Sequence, residues 1–306
     1  MSERAGAAAS PGGDGPKTLL EVLRRTTEFL AARGCDAPRL SAELLLAKGL
    51  GMRRLDLYLH FDRPLLEQEL VPCRELVRRA ASREPLAYIL GEREFWSLAM
   101  EVGPGVLVPR PETEALVELT LEALKGRAGD APPPRIAEIG TGSGCISVAV
   151  AHSAPNAQIV ATDLSAAALA FAARNAARHG VAERVRWLQC RFLDAVEEKP
   201  TFDVLVSNPP YVLPSEESAL PPELRFEPRE AIFIPGGDAV ALYGAIAKAA
   251  ASRLLPEGAC FVEIGEALAA TVERCFEAAG LVRVRRVRDL AGLDRVVVGY
   301  LPAATN

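Results

Sequence analysis

Histidine is scarce in this chain: three residues in 306, at His60, His152 and His179. They stand far apart, none has the spacing of a metal site, and no metal is expected. The six cysteines (Cys35, Cys73, Cys145, Cys190, Cys260, Cys275) are scattered and contain no C-x-x-C pair. Buried, reduced thiols in a cytosolic protein are therefore expected. No apolar run approaches the roughly 20 residues needed to span a bilayer, so no membrane association is expected. An excess of basic charge is also missing. Lys and Arg number 35 against 40 Asp and Glu, a net charge of −5, which argues against broad attraction to phosphate backbones and a direct nucleic-acid partner. The first 16 residues have no hydrophobic region and carry Glu3 and Asp14, unlike a secretory or transit peptide. Their Gly/Ala/Pro content reads as a disordered tail.

What is present is ordinary globular composition, 49% hydrophobic and 25% charged. Residues 17–85 carry helical periodicity broken by Pro38, Gly49, Gly51, Pro64 and Pro85, which predicts a small helical bundle. Residues 86–109 alternate like strands around Gly91 and Gly103-Pro104-Gly105, which predicts a hairpin linker. Residues 110–306 form a further domain. Arg110-Pro111-Glu112-Thr113-Glu114 opens a helix, since proline and acidic residues suit a first turn. Strands then alternate with helices: IAEIG, QIVATD, VRWLQC, FDVLVSN and ACFVEIG. This rhythm predicts an α/β fold with a mostly parallel sheet covered on both faces. The last two strands, LVRVRRVRD and RVVVGYL, are joined only by a short loop, too short for a parallel crossover, so they should pair antiparallel.

Chemistry concentrates at the carboxyl ends of these strands. IAEIG runs into Gly140-Thr141-Gly142-Ser143-Gly144-Cys145. Cys145 stands where a dinucleotide fingerprint needs its third glycine, so the dehydrogenase pattern fails. Glycine at every second position, after an acidic residue, resembles the first motif of Rossmann-like methyltransferases, which bind S-adenosylmethionine. QIVATD ends in Asp163, where a carboxylate can accept ribose hydroxyls or cap the following helix, a task open to Ser165 as well. Phe192, after the third strand, can cover an adenine ring or belong to the core.

The fourth strand leaves through Asn208-Pro209-Pro210-Tyr211. Two prolines cannot donate to a ladder and stiffen what precedes them. An amide or exocyclic aromatic nitrogen is a poor nucleophile because its lone pair is delocalised. A site helps by accepting hydrogen bonds from both of its N–H groups, which orients it and supports the positive charge that develops. The Asn208 side-chain oxygen and the Pro209 carbonyl are two such acceptors, and Tyr211 can pack on a flat target group. Asn208 is also expected to touch the methyl donor.

At these residues the chain resembles the glutamine-N5 methyltransferases of peptide chain release factors, the HemK/PrmC family. REPLAYILGEREFW, VLVPRPETE, EIGTGSG, FDVLVSNPPYV, FEPREAIF and DLAGLDRVVVG carry the likeness. It implies a class I Rossmann-like methyltransferase domain with a seven-stranded sheet, and a helical domain that helps bind the release factor. It further implies Gly140 to Gly144, Asp163 and Phe192 for S-adenosylmethionine, and Asn208 to Tyr211 for the glutamine of the GGQ loop. The product would be S-adenosylhomocysteine, and the enzyme a cytoplasmic monomer. A ribosomal-protein glutamine methyltransferase shares NPPY but usually lacks RPETE. An N6-adenine methyltransferase needs a basic face that is missing here. Arg191, where many relatives carry an acidic residue, and Ala239, where they carry glycine, depart from the pattern. Residues 212–237, rich in Pro and Glu, are a candidate lid.

Overall fold

A computed structural model describes residues 17–125, 132–289 and 291–304; the expected tail over residues 1–16 lies outside them. The chain divides into two units, one up to Leu90 and one from Gly91 onward.

The first unit is helical: α1 (Leu19–Ala32), α2 (Pro38–Leu50), α3 (Arg54–Leu59), α4 (Glu67–Ala81) and α5 (Leu86–Leu90). A capping box starts α1, with Thr18 Oγ1 accepting from Glu21 N and the Glu21 carboxylate accepting from Thr18 N. Leu19, Leu23, Thr26 and Leu30 then bury one stripe. Gly51, at φ 64°, closes α2 in the left-handed conformation. The core gathers Leu30, Leu45, Leu46, Cys73 and Ile89. Leu86–Leu90, expected as the start of the hairpin, is a helix instead. Five apolar residues have too little periodicity to separate helix from strand. Pro85 starts the turn by accepting from the amides of Tyr88 and Ile89, and Gly91, at φ 80°, ends it.

Among the described residues of this unit, one charge is buried. Glu43, 2% exposed, accepts from Arg39 Nε at 2.6 Å, from Arg54 Nε at 2.8 Å and from the Tyr58 hydroxyl. Burial alone would raise its pKa, but the bonds from Tyr58, Arg39 and Arg54 outweigh this and hold it at about 2. The folded value is depressed, so the stabilisation is complete above the ordinary value of 4.5 and is lost as pH falls towards 2. Circular dichroism melts should show the wild type losing stability across that interval more steeply than Glu43→Gln, which should already be less stable at pH 7. Parallel pH dependence in the two proteins would contradict this.

The second unit begins with a hairpin, β1 (Glu92–Phe95) and β2 (Leu98–Glu101). Its two-residue turn places Trp96 and Ser97 at φ 54° and 58°, the twist that tight hairpins require. Trp96 is held there by bonds from its backbone N to Glu114 and from its indole to Ser153. A single 3₁₀ turn, Pro111–Thr113, leads into α6 (Glu114–Leu124). Then follow β3 (Arg135–Ile139), α7 (Cys145–Ser153), β4 (Gln158–Asp163), α8 (Ala166–Arg178), β5 (Val185–Gln189), β6 (Phe202–Ser207), α9 (Arg229–Ile232), α10 (Ala239–Arg253), β7 (Leu254–Glu263), α11 (Ala269–Ala278), β8 (Val282–Arg288) and β9 (Asp294–Tyr300).

The seven strands from β3 onward form one sheet in the order β5-β4-β3-β6-β7-β9-β8. Pairs among β3 to β7 are parallel; β7–β9 and β8–β9 are antiparallel. Alternate residues feed two cores. Ile136, Val204, Val206 and Phe261 pack with α6 and α7 on one face, and Ala137, Leu205, Cys260 and Val262 pack with α10 and α11 on the other. The chain moves outward from β3 to β5, then returns to place β6 on the other side of β3. That reversal is a topological switch point, where open α/β sheets leave a crevice for ligands.

Candidate functional site

The crevice holds a cavity of about 360 Å³. It is lined by Gly140, Thr141, Gly142, Ser143, Asp163, Phe192, Asn208, Pro209 and Pro210, all singled out by sequence. Gly144 and Tyr211 stand outside its wall.

The floor is the glycine turn after β3. Gly140, Gly142 and Gly144 have φ of 72°, 55° and 79°, a region costly for any residue with a Cβ. Their tasks differ. A Cβ on Gly142 would meet open space, so that glycine leaves room for a ligand against backbone. A Cβ on Gly144 would lie 2.9 Å from Ala172 Cβ, so that glycine lets the turn pack on α8. Beneath the turn is Glu138, 1% exposed, an acidic residue whose task the sequence does not disclose. Its Oε2 accepts from the Thr141 hydroxyl at 2.8 Å, from Ser147 N at 3.1 Å and from the Ser147 hydroxyl. Burial raises its pKa to about 7 against the pull of these bonds. Glu138 thus ties the glycine turn to the first turn of α7.

Asp163 ends β4 and forms one side wall. Its Oδ2 accepts from Gly142 N and its Oδ1 from Ser165 N, each at 2.8 Å. Ser165 caps α8 by accepting from Ala168 N, so Asp163 is left to the cavity. Each of its oxygens keeps a further lone pair. Burial raises its pKa, opposed by the amides of Ser165, Gly142 and Leu164. Phe192 also lines the cavity, in a left-handed conformation, φ 47°, with its carbonyl accepting from the Thr162 hydroxyl at 2.6 Å. Its ring faces both cavity and core. The Arg191 guanidinium lies 5.0 Å from that ring's centre, a cation–π stack.

Asn208 enters beside the glycine turn as β6 leaves the sheet. The Ser207 hydroxyl donates to Ile139 O at 2.8 Å, tying the ends of β6 and β3. Asn208 Nδ2 donates to Thr113 Oγ1 at 3.0 Å. Tyr211 follows the prolines and packs on Gly265, where a Cβ would lie 3.5 Å from the ring. The candidate lid folds as short 3₁₀ turns and α9, joined to Val212 by two backbone bonds, Val212 N to Ile232 O and Ile234 N to Val212 O. Its FEPR motif meets RPETE. Glu227, 4% exposed, accepts from Val108 N at 2.9 Å and from Arg110 Nη2 at 2.6 Å. Sequence reading took both motifs as family markers and missed that they form one side of the cavity. Arg110 and Glu227 are too distant in sequence for any local pattern to pair them.

A second hollow, about 570 Å³, lies in the helical unit among Arg25, Phe29, Arg33, Arg74 and neighbouring side chains. Among the described residues, no carboxylate or glycine lines it. Among the described residues, no group of His, Cys, Asp or Glu could hold a metal ion, and no helix is long and apolar enough to cross a membrane.

Comparisons with known proteins bear on the fold and the family. The model of the PrmC N-terminal domain matches residues 21–91, and that of the methyltransferase small domain matches residues 116–221. Among solved structures, the catalytic domain of hMettl16 in complex with a MAT2A 3′UTR hairpin superposes with a TM-score of 0.55 at 16% identity, covering 74% of this chain and 82% of that one. That likeness shows a shared class I methyltransferase fold. A release factor glutamine methyltransferase of Geobacter sulfurreducens is 44% identical over 285 residues, 93% of this chain and 97% of its own. One of Rhodopirellula baltica is 40% identical over 291 residues, 94% of this chain and 98% of its own. With identity of that order along nearly the whole of both chains, and both domain models matched, this chain belongs to the release factor glutamine methyltransferase family.

Proposed function

We propose that this protein transfers a methyl group from S-adenosylmethionine to the side-chain amide nitrogen, N5, of the glutamine in the GGQ loop of peptide chain release factors. The observation that carries this proposal is the meeting of two half-sites in one cavity: a glycine turn with a ribose-type carboxylate, and Asn208-Pro209-Pro210. Bound there, S-adenosylmethionine supplies a methyl activated by its sulfonium.

The chain's own residues do the rest. Gly142 gives the ligand access to backbone, and Asp163 offers its remaining lone pairs to the ribose hydroxyls. Phe192 covers the adenine, with Arg191 stacked on its ring. On the acceptor side, Asn208 Oδ1 and the Pro209 carbonyl accept the two N–H groups of the glutamine amide. This directs the nitrogen towards the methyl and stabilises the positive charge it gains. The C–N bond forms as the C–S bond breaks, and the acidified nitrogen loses a proton to water. Tyr211, on the same segment, belongs to the substrate side. The helical unit contributes to holding the release factor. The protein acts as a cytoplasmic monomer without a nucleic-acid partner.

Asn208→Ala should lower methyl transfer by about 100-fold or more and leave the cofactor Kd nearly unchanged, because its main partner is the substrate amide; an active variant would contradict the acceptor role. Asp163→Ala should weaken cofactor binding by roughly 1.5–3 kcal/mol in calorimetry; unchanged affinity would remove Asp163 from the site. For substrate choice, purified release factor and large ribosomal subunits can be offered together with labelled S-adenosylmethionine. The label should enter the release factor; label in a ribosomal protein would redirect the assignment.

A further inference from the structure

Thr113 sits in the RPETE turn at 2% exposure, and its hydroxyl oxygen accepts the Asn208 Nδ2 bond at 3.0 Å. A hydroxyl can meet a carboxamide in two ways, by accepting from its nitrogen or by donating to its oxygen. The two have opposite consequences for methyl transfer. Only when Nδ2 turns to Thr113 is Oδ1 left to accept from an incoming amide. The orientation is therefore secure only if the Thr113 hydroxyl donates to another acceptor.

Glu263 is placed to be that acceptor. It is the last residue of β7, and the pairing of Ser207 with Val262 carries Asn208 and Glu263 off adjacent parallel strands side by side. Its side chain is 1% exposed, and neither oxygen has a well-formed hydrogen-bond partner. Burial dominates its electrostatics, opposed by the nearby Thr113 hydroxyl and by the Arg295 and Arg110 guanidiniums. An under-satisfied buried carboxylate weakens a fold.

We propose that Thr113 and Glu263 are positioning residues for methyl transfer: Glu263 accepts a hydrogen bond from the Thr113 hydroxyl, the Thr113 oxygen is left to accept from Asn208 Nδ2, and Asn208 Oδ1 is thereby fixed towards the substrate amide. This rests on Asn208 as the acceptor of the glutamine N–H, and it adds the two residues that set which end of Asn208 is presented.

The test uses the full-length protein, a release factor and labelled S-adenosylmethionine, with steady-state kinetics, calorimetry for the cofactor and melting curves. Thr113→Val should lower kcat and kcat/KM together by about 10- to 100-fold, with the cofactor Kd unchanged. Thr113→Ser keeps the hydroxyl and should return activity to within about threefold of wild type. Glu263→Gln should also lower kcat, because an amide can donate as well as accept, yet its Tm should equal or exceed the wild-type value. The double variant Thr113→Val/Glu263→Gln should lose no more activity than Thr113→Val alone, as expected of residues acting in series. The proposal is overturned if Thr113→Val works at the wild-type rate, if the two losses multiply, or if Glu263→Gln loses activity only as it loses stability. Should Thr113→Val fail to fold, Thr113→Ser and Glu263→Gln decide the matter on the same readouts. An active Asn208→Ala would overturn the acceptor role and this inference together. An inactive Asn208→Ala beside a fully active Thr113→Val would overturn the inference alone.

Discussion

The site depends on the parallel register of β3 between β4 and β6. Ile139 lies opposite Thr162 on one side and Ser207 on the other, so the three strands end at one level. The residues that follow them are the glycine turn, Asp163 and Asn208. Because all three strands run the same way, three stretches remote in sequence reach one edge without any long loop to bring them there. A slip of one residue in either pairing would turn Thr162 and Ser207 to the opposite face. The bonds from Thr162 to the Glu138 and Phe192 carbonyls, and from Ser207 to the Ile139 carbonyl, would then be lost.

Rigid polar groups rather than mobile ones hold this edge. The glycine turn is bonded from below by Glu138 and from the side by Asp163. RPETE is anchored by Glu227 through Arg110 and Val108 N, and it anchors Asn208 through Thr113. Such fixed acceptors suit a reaction whose nucleophile must be oriented more than deprotonated. Burying several carboxylates carries a cost, visible in the raised pKa of Glu138 and Glu263, each at about 7. That is the kind of strain expected where a site, not a core, sets the side chain.

Much of this was legible in the sequence, because the signals were local. Strands and helices alternate with clear periods, the closing loop is too short for a crossover, and glycine at every second position has few structural uses. What stayed hidden depends on distance or on context. Arg110 and Glu227 pair across the fold, as do Thr113 and Asn208. Glu138 reads as part of the glycine motif, but its bracing of the turn shows only once its burial is seen. Gly144, grouped with the ligand glycines by the resemblance, packs closely against Ala172. Leu86–Leu90 read as strand because five apolar residues carry no usable period, and Pro85 with Gly91 decided for helix.

The central claim is that Asn208 and Pro209 present one planar glutamine amide to the methyl donor. The most direct measurement is mass-spectrometric mapping of a release factor incubated with the protein and labelled S-adenosylmethionine, beside a variant whose GGQ glutamine is alanine. The account predicts a single methyl on that side-chain amide nitrogen and no label on the variant. Label on the variant, or a methyl on any other atom of the wild-type release factor, would contradict it.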